Sequence, residues 1–289
     1  MSEQCGNYRL DDRLNEGGMA EIFSATTRDQ GHVVVRRLRP QFQYNWSKRR
    51  DFIRGLQVQE QMHHPNVVRV LELVTFGLRP YAVMEFVGGM NLRQALLRKD
   101  PVVHHPLPIF CQILEGLHHI HSCGFLHLDF KPENILVQPD GHTRIADFDL
   151  AQPILPKPRR QPSVQGTPAY LAPEQIMKRP VDPRTDIFAL GLTAFELFTR
   201  RKPVARSQRE EIFAAYCDEN TAFPIPSALN RTIPEALDQI LGACLAKKPE
   251  ERYTSVQRII HDLQESGVLN NPKSITQPDA TADWQNLDP

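Results

Sequence analysis

One short polar stretch near the middle of the chain, His127–Leu136, most constrains what this protein can be. It places the carboxylate of Asp129, the ammonium group of Lys131 and the amide of Asn134 close together, and Asp147 follows in a second acidic segment. A carboxylate can take a proton from an attacking hydroxyl, and an ammonium group can neutralise charge on a transferred group. The stretch therefore predicts a catalytic pair, Asp129 and Lys131. Because amide and carboxylate oxygens are ligands that Mg²⁺ prefers, Asn134 and Asp147 are predicted to bind a metal ion.

Composition and charge favour a cytoplasmic protein with a large core. At 289 residues, of which 40% are hydrophobic, the chain is long enough for one large domain or two lobes. Lysine plus arginine equals aspartate plus glutamate at 34 each, so no nucleic-acid partner is predicted. The five cysteines are odd in number and widely spaced, which favours reduced thiols in the cytoplasm. No apolar run approaches the roughly 18 residues of a membrane span, and no secretory signal core is present, so a membrane span is not expected.

The hydrophobic pattern predicts strands first and helices afterwards. Residues 8–38 contain short apolar runs separated by glycines, which is typical of antiparallel strands. A helix is expected over residues 47–62, and apolar residues recur at helical spacing over residues 109–120 and 254–264. Residues 187–198 are apolar on nearly every side, as expected of a buried helix. This order of elements predicts an α+β protein.

The central stretch resembles the catalytic loop of eukaryotic-type serine/threonine protein kinases. The resemblance lies in the order His-x-Asp-x-Lys-Pro-Glu-Asn over residues 127–134, followed by Asp147–Phe148. The segment Gly166–Glu174 is similar to the family's peptide-substrate platform, and His64–Asn66 is similar to a marker that follows the N-lobe helix. The resemblance covers about residues 8–264 and is carried by several motifs in the family's order.

This resemblance implies a protein-kinase-like α+β fold with two lobes. The expected division is a β-rich N-lobe over residues 1–84, a hinge over residues 85–89 and a helical C-lobe over residues 90–265. From residue 266 the chain turns polar and contains several prolines, so a disordered tail is predicted over residues 266–289. Trp284 in this tail is either a docking residue or a solvated side chain.

The resemblance also implies ATP and Mg²⁺ as cofactors and a protein as substrate or partner. The implied nucleotide contacts come from the glycine-rich loop, the neighbouring strands, the hinge and the floor of the cleft. They are Leu14, Gly17, Ile22, Val34, Arg36, Met84, Glu85, Val87 and Leu136. Met84 would be the gatekeeper, and backbone atoms of Glu85 and Val87 would bind adenine.

Two contacts of the substrate platform are implied in the same way. Thr167 would bridge Asp129 and Lys131, and Glu174 would form an ion pair with Arg252. The platform and the catalytic loop together favour serine/threonine over tyrosine specificity.

Three of the departures from the family's pattern bear directly on phosphate transfer. Arg36 stands where the family has a lysine, and Gly55 stands where it has the helix glutamate that pairs with this lysine. Both halves of that ion pair are therefore missing, and Gln59, one helical turn on, could substitute only weakly. Asp149 replaces a glycine and adds negative charge beside the metal site. Rebuilding the pair by Arg36→Lys together with Gly55→Glu is expected to raise phosphotransfer.

Three functions compete on these residues. The first is a fully active Ser/Thr protein kinase, and the second is a pseudokinase or weak kinase that still binds Mg·ATP. The third, a small-molecule phosphotransferase, is disfavoured because small substrates need no platform such as Gly166–Glu174. The N-lobe substitutions favour the second function over the first. A zinc site at His118, His119 and His121 is disfavoured, because no second ligand pair has metal spacing.

Overall fold

An antiparallel sheet near the N-terminus faces a larger helical lobe, as the α+β prediction requires. The computed structural model describes residues 3–16, 18–27, 31–160, 163–206 and 208–278. The strands are β1 (Gln4–Cys5), β2 (Tyr8–Glu16), β3 (Ala20–Thr26), β4 (His32–Leu38), β5 (Val70–Val74), β6 (Tyr81–Glu85), β7 (Met90–Asn91), β8 (Phe125–Leu126), β9 (Ile135–Val137), β10 (Thr143–Ile145) and β11 (Gln152–Pro153). The α-helices are α1 (Trp46–Glu60), α2 (Leu92–Arg98), α3 (Pro106–Ser122), α4 (Pro173–Ile176), α5 (Pro183–Thr199), α6 (Arg209–Cys217), α7 (Pro226–Leu229), α8 (Glu235–Cys244) and α9 (Val256–Glu265). Short 3₁₀ helices lie at Pro40–Phe42, Pro101–Val103, Pro132–Asn134, Pro168–Tyr170, Pro249–Glu251 and Val268–Asn270.

The first six strands form one sheet in the order β1-β2-β3-β4-β6-β5. Helix α1 crosses from β4 to β5 and packs against β5. After β6 the chain leaves this sheet and enters a second one, in the order β10-β9-β7, which belongs to the helical lobe. A two-stranded sheet of β11 and β8 lies beside it. The cleft therefore lies between the large sheet and the loops around β9 and β10.

Alternation along β4 decides which of its side chains face the cleft. Successive residues of a strand point to opposite faces of the sheet. Val33 and Val35 belong to an apolar cluster on one face, whereas Val34 and Leu38 pack in the cluster on the other face. Arg36 shares the parity of Val34 and Leu38. The strand period therefore carries this arginine to the side of the sheet that faces the helical lobe.

Backbone and side-chain hydrogen bonds join the two lobes behind the cleft. The side chain of Asn66 is buried and donates from Nδ2 to the Thr143 carbonyl at 2.9 Å. The Ile145 amide donates to the Asn66 carbonyl at 2.8 Å, and the Val68 amide donates to the Ile145 carbonyl at 2.9 Å. The segment that follows α1 is thus attached directly to β10, which positions the N-lobe over the acidic segment after β10.

Two helix starts are set by side-chain caps. The Asn45 side chain accepts a hydrogen bond from the Lys48 amide at 3.0 Å, so α1 begins just before the predicted residue 47. Asp182 caps α5 by accepting from the Arg184 amide at 2.9 Å. All residues from Thr185 to Thr199 are buried, which confirms the prediction of a buried helix in this region.

The chain after α9 packs against the helical lobe, which corrects the predicted disorder for residues 266–278. The Gln277 side chain is 3% exposed and donates from Nε2 to the Leu197 carbonyl at 2.7 Å. Polar composition indicated disorder, but polar groups that find buried partners stabilise an ordered segment. Residues 279–289 lie outside the described residues, and so do Trp284 and the prediction for it.

Among the described residues, none of the helices combines the length and the apolar character that a bilayer span requires. All five cysteines are free thiols. Burial raises the pKa of the Cys244 thiol to about 12, so this residue is a protonated packing group.

Candidate active site

A buried aspartate of α5 holds the catalytic loop in place. Asp186 accepts hydrogen bonds from the His127 and Leu128 amides, each at 2.8 Å, and its Oδ2 lies 2.9 Å from His121 Nε2. Burial alone would raise the pKa of Asp186, but the hydrogen bond from His121 and the contacts with His127 lower it overall. Leu128 takes a positive φ of 61°, a conformation that costs energy outside glycine and persists only where the surroundings hold it. The loop is therefore fixed before any ligand binds.

Asp129, Lys131 and Asn134 form one hydrogen-bonded group. Asp129 Oδ2 lies 2.7 Å from Lys131 Nζ and accepts from Asn134 Nδ2 at 3.1 Å. Lys131 Nζ also donates to Thr167 Oγ1 at 2.9 Å. Of the two contacts implied for Thr167, the structure thus shows the one with Lys131. The arrangement places a carboxylate and a cation side by side next to the segment that resembles a peptide platform.

Asp147 lies in the same cleft and meets a cation from the N-lobe. The Ala146 amide donates to the Asn134 carbonyl at 2.8 Å, which ties the two acidic segments together. Arg36 Nη2 lies 2.9 Å from Asp147 Oδ1 and 2.8 Å from Asp149 Oδ2. Arg36 is only 5% exposed. Although both halves of the family's ion pair are missing, Arg36 is therefore paired with two carboxylates of the acidic segment.

Burial and one shared cation determine the charge of these three side chains. Burial, together with the charge of Asp147, raises the pKa of Asp149 to about 6 against the opposing effect of Arg36. Desolvation would also raise the pKa of Asp147, but Arg36 lowers it overall. Desolvation would lower the pKa of Arg36, yet the two carboxylates raise it. Asp147 is therefore the stronger acid of the two carboxyl groups.

Helix α1 presents a glycine to the acidic segment, and the space there is already filled. A Cβ built on Gly55 would lie 2.7 Å from the Phe148 carbonyl oxygen and 3.0 Å from Asp149 Cα. Real side chains do not approach a backbone so closely, because repulsion rises steeply within the contact distance. The expected rescue by Gly55→Glu is therefore not compatible with this structure, since the helix lies directly on the backbone that a glutamate would have to displace.

Apolar side chains from both lobes line the inner part of the cleft. Val34, Met84, Val87 and Leu136 all belong to or pack against one apolar cluster. Val34 lies opposite Met84 in the ladder of β4 and β6. Ile22 lies on the same face of the sheet as Arg36, because the two residues are directly opposite each other in the ladder of β3 and β4. Val34, Met84 and Ile22 therefore lie on the face of the sheet that carries Arg36, and Val87 and Leu136 pack against the same apolar cluster.

The other predicted nucleotide positions are less well placed or not described. Leu14 is 52% exposed and lies where the ladder of β2 and β3 is irregular. Gly17 lies outside the described residues. The Glu85 amide donates to the Arg69 carbonyl at 3.1 Å, so only the Glu85 carbonyl remains for adenine. The Glu85 carboxylate is paired with Arg144 at 3.2 Å and is not part of the cleft chemistry.

Asn134 and Asp147 offer the oxygen atoms that a magnesium ion needs. Asn134 Nδ2 donates to the backbone and the side chain of Asp129. The side-chain oxygen Oδ1 of Asn134 is therefore the atom that could bind a metal. The contacts of Asp147 with Arg36 and Asp149 use Oδ1, so Oδ2 is the atom that could bind a metal. The donor set therefore fits Mg²⁺, although the neighbouring guanidinium repels it. Among the described residues, no three His, Cys, Asp or Glu side chains converge as a metal cluster.

The platform is anchored to the helical lobe by a buried ion pair, which confirms the contact implied by the sequence. Arg252 Nη1 and Nη2 lie 2.8 Å and 2.9 Å from the two oxygens of Glu174. The two side chains are 0% and 3% exposed. Thr185 Oγ1 donates to Glu174 at 2.8 Å, and the Arg252 guanidinium lies 4.7 Å from the centroid of the Phe188 ring.

The sequence did not predict the contacts that two residues, Asp186 and Asp149, make in the site. Asp186 carries a signal, because a carboxylate in the first turn of a buried helix must find hydrogen-bond donors. Asp149 carries none that identifies Arg36 as its partner, because the two residues are remote in the sequence. Gln59, the expected weak substitute, instead donates from Nε2 to the Val68 carbonyl at 2.9 Å.

A β-rich lobe, a helical lobe and a polar catalytic loop between them define the protein kinase class. The sequence model of the protein kinase domain matches residues 8–263. The chain therefore belongs to the protein kinase family.

Curated relatives are bacterial serine/threonine protein kinases by name. The chain is 30% identical to the probable serine/threonine-protein kinase PknB of Lactococcus lactis, over 91% of this chain and 42% of that protein. It is 32% identical to serine/threonine-protein kinase PksC of Streptomyces coelicolor, over 87% of this chain and 47% of that protein. It is 31% identical to serine/threonine-protein kinase Pkn1 of Myxococcus xanthus, over 90% of this chain and 38% of that protein. The chain thus spans less than half the length of these relatives.

Proposed function

We propose that this chain is a serine/threonine protein kinase domain that binds Mg·ATP and transfers phosphate weakly, as an impaired kinase or a pseudokinase. The observation that carries the proposal is the hydrogen-bonded group of Asp129, Lys131 and Asn134, together with an arginine that is bound to Asp147. The group supplies a base and a cation. The pair of Arg36 with Asp147 competes with a metal ion for the same carboxylate.

Each residue of the group has one proposed task. A substrate hydroxyl beside Asp129 would pass its proton to the carboxylate, while its oxygen bonds to the γ-phosphorus of ATP and the bond from that phosphorus to ADP breaks. Lys131 would neutralise charge on the transferred group. Asn134 and Asp147 would hold Mg²⁺, which neutralises phosphate charge when it is bound.

The reduced rate follows from the N-lobe cation. Arg36 is planar and presents a different fork of donors from lysine, so the exchange is not conservative. Its contact with Asp147 Oδ1 competes with a metal ion for the same carboxylate. Losing one preorganised donor from such a site costs about 2.7–4 kcal/mol, or about 10²–10³ in rate, by analogy with oxyanion holes.

One observation favours the competing proposal of a fully active kinase. Arg36 is anchored by Asp149 at 2.8 Å, so the N-lobe cation is held in place without a helix glutamate. If Arg36 performs the work of the lysine, phosphotransfer needs no further repair. The turnover number separates the two proposals.

Nucleotide binding is the first expected outcome. Ligand at about 100 times its dissociation constant stabilises the folded state by about 2.7 kcal/mol. For a domain of this size, this corresponds to a rise in melting temperature of about 5–10 °C. We expect millimolar Mg·ATP to produce such a rise in a thermal-shift assay, because the cleft combines apolar side chains with two oxygen ligands.

The matched control for this assay is Asp147→Asn, which removes the charged metal ligand at nearly constant volume. It should reduce the shift with Mg·ATP more than the shift with adenosine, which carries no phosphate. A wild-type chain that shows no shift with millimolar Mg·ATP would contradict nucleotide binding and favour a scaffold that ignores nucleotide.

Turnover on a generic protein substrate is the second expected outcome. Active kinases turn over at about 1–100 s⁻¹. We expect radiolabelled-ATP transfer by the wild type to fall below about 1 s⁻¹ and to vanish in Asp129→Asn, because the base is lost. Wild-type turnover within the ordinary range would instead establish the fully active kinase.

The remaining proposals concern partner and location. The segment from Gly166 to Glu174 supports a protein as substrate or partner, because small substrates need no such platform. The free thiols support a reducing, cytoplasmic location for this part of the chain.

A further inference from the structure

We propose that Asp149 is a positioning residue, which holds the Arg36 guanidinium so that one of its nitrogens is presented to a phosphate group. The inference rests on the proposed function, since it concerns the same nucleotide site. Asp149 would do from the acidic segment what the family's glutamate does from the N-lobe helix. Three features support this role: the contacts of Arg36, the close fit of Gly55 and a hydrogen-bond donor of the guanidinium that remains unused.

The contact itself is short and buried. Arg36 Nη2 lies 2.8 Å from Asp149 Oδ2, and the two side chains are 6% and 15% exposed. A buried cation requires a paired anion, because desolvating an unpaired charge costs several kcal/mol. The Phe52 ring lies 5.4 Å from the guanidinium carbon and packs against the group from another side. Arg36 is thus restrained in orientation as well as in position.

Gly55 makes this contact possible. The backbone of Asp149 lies so close to α1 that a Cβ on Gly55 would be 3.0 Å from Asp149 Cα. Any larger residue would push the acidic segment away from the helix, and the Asp149 carboxylate would move with it. The glycine in the helix and the aspartate in the acidic segment are therefore two halves of one arrangement. The absence of a side chain at Gly55 leaves room for the backbone that carries Asp149.

The guanidinium keeps an unused donor. Arg36 Nη1 is buried and has no hydrogen-bond partner among the described residues, whereas Nη2 contacts both carboxylates. A buried donor without an acceptor is costly, so a site that leaves one is suited to an anionic ligand. A phosphate oxygen is the acceptor that fits a guanidinium best.

Two carboxylates on one cation allow a division of tasks. When Asp147 coordinates a metal ion, Asp149 still forms the ion pair with Arg36. A single carboxylate could not satisfy both, because a metal ion and an arginine would compete for it. This explains why an aspartate, and not a smaller neutral residue, follows Asp147–Phe148 in this chain.

The test compares the binding of Mg·ATP and adenosine by titration calorimetry. Asp149→Asn keeps the shape of the side chain and removes its charge. We expect it to weaken Mg·ATP binding by about tenfold, the equivalent of about 1.4 kcal/mol, and to leave adenosine binding unchanged. The matched control is Asp11→Asn, since Asp11 also pairs with an arginine of the N-lobe, at 3.1 Å, but lies at the surface. It should change neither affinity.

A second arm shows whether Asp149 acts through Arg36. In an Arg36→Met background, Asp149→Asn should cause no further loss of Mg·ATP affinity, because residues that act as a unit are not additive. Melting temperatures of the four ligand-free variants should be non-additive in the same way. If Asp149→Asn does not fold, Asp149→Ser provides the same comparison.

Three results would overturn the inference. One is unchanged Mg·ATP affinity in Asp149→Asn, which leaves the proposed function intact. Another is an equal loss for Mg·ATP and adenosine, which indicates general damage to the cleft. A third is additive effects of the Arg36 and Asp149 substitutions. A wild-type chain that binds no Mg·ATP is a distinct outcome, because it rejects the proposed function together with the phosphate contact.

Discussion

Replacing Arg252 by alanine should lower the melting temperature by about 10 °C or more. Breaking a buried ion pair by removing one partner costs about 3–5 kcal/mol, because the other charge stays buried without compensation. Arg252 is fully buried and binds Glu174 through both Nη atoms. It also donates to the carbonyls of Ala246, Arg184 and Lys247, so the substitution leaves four groups without their donor. Differential scanning calorimetry on the whole chain measures the effect.

The chain offers a matched control for this substitution. Arg258 on α9 pairs with Asp262 at 3.1 Å, but its side chain is 59% exposed. Surface pairs contribute about 0–1 kcal/mol, so Arg258→Ala should change the melting temperature by only about 2 °C. Equal shifts for Arg252→Ala and Arg258→Ala would show that the platform is not anchored by a buried pair. Arg252→Met combined with Glu174→Leu should cost less than the sum of the two single changes, because neither charge remains unpaired.

Substitutions of Gly55 should be destabilising even though glycine is a poor helix former. Overpacking a well-packed site costs about 1–3 kcal/mol. This loss exceeds the gain of about 0.8–1 kcal/mol that alanine brings to a helix interior. Gly55→Ala should therefore lower the melting temperature by a few degrees, and Gly55→Glu should lower it further. The larger side chain must displace the Phe148–Asp149 backbone, which lies 2.7–3.0 Å from the position of its Cβ.

Gly242 on α8 provides the opposite result as a control. A Cβ built there meets no atom within 4 Å. Gly242→Ala should raise the melting temperature, because it gains helix propensity without a clash. If Gly55→Ala also stabilises the protein, the close packing of α1 on the acidic segment is wrong. The expectation that Gly55→Glu helps to raise phosphotransfer would then again be compatible with the structure.

Short motifs are enough to indicate the class of this protein. The residue types of the central loop and its resemblance to the family predict the base, the neighbouring lysine and the two oxygen ligands, and these roles stay predictions. The buried helix around residues 187–198 is equally clear, since an almost uninterrupted apolar run can only be buried. The Glu174–Arg252 pair is also predicted, but it comes from the resemblance and not from a local pattern.

Other parts of the site could not be predicted from the sequence. The tail after residue 265 reads as disordered by composition, yet Gln277 is buried through hydrogen bonds with distant backbone groups. From the sequence, Asp186 is one polar residue near the start of a helix. Its hydrogen bonds with two loop amides are visible only in the folded structure. Both depend on partners that composition and periodicity do not encode.

By itself, the sequence of this chain determined the kinase fold, the position of the catalytic loop and the absence of the family's lysine and glutamate. The sequence indicated a broken ion pair, because Arg36 and Gly55 each differ from the residue that the family has at that position. Only the tertiary structure decided that Arg36 is anchored by Asp149 and that Gly55 makes room for this contact. The physical reason is separation along the chain. Arg36 lies 111 residues before Asp147 and further still before Asp149, so these contacts depend on how the two lobes pack together. A buried cation pairs with whichever carboxylate the closed fold brings within reach.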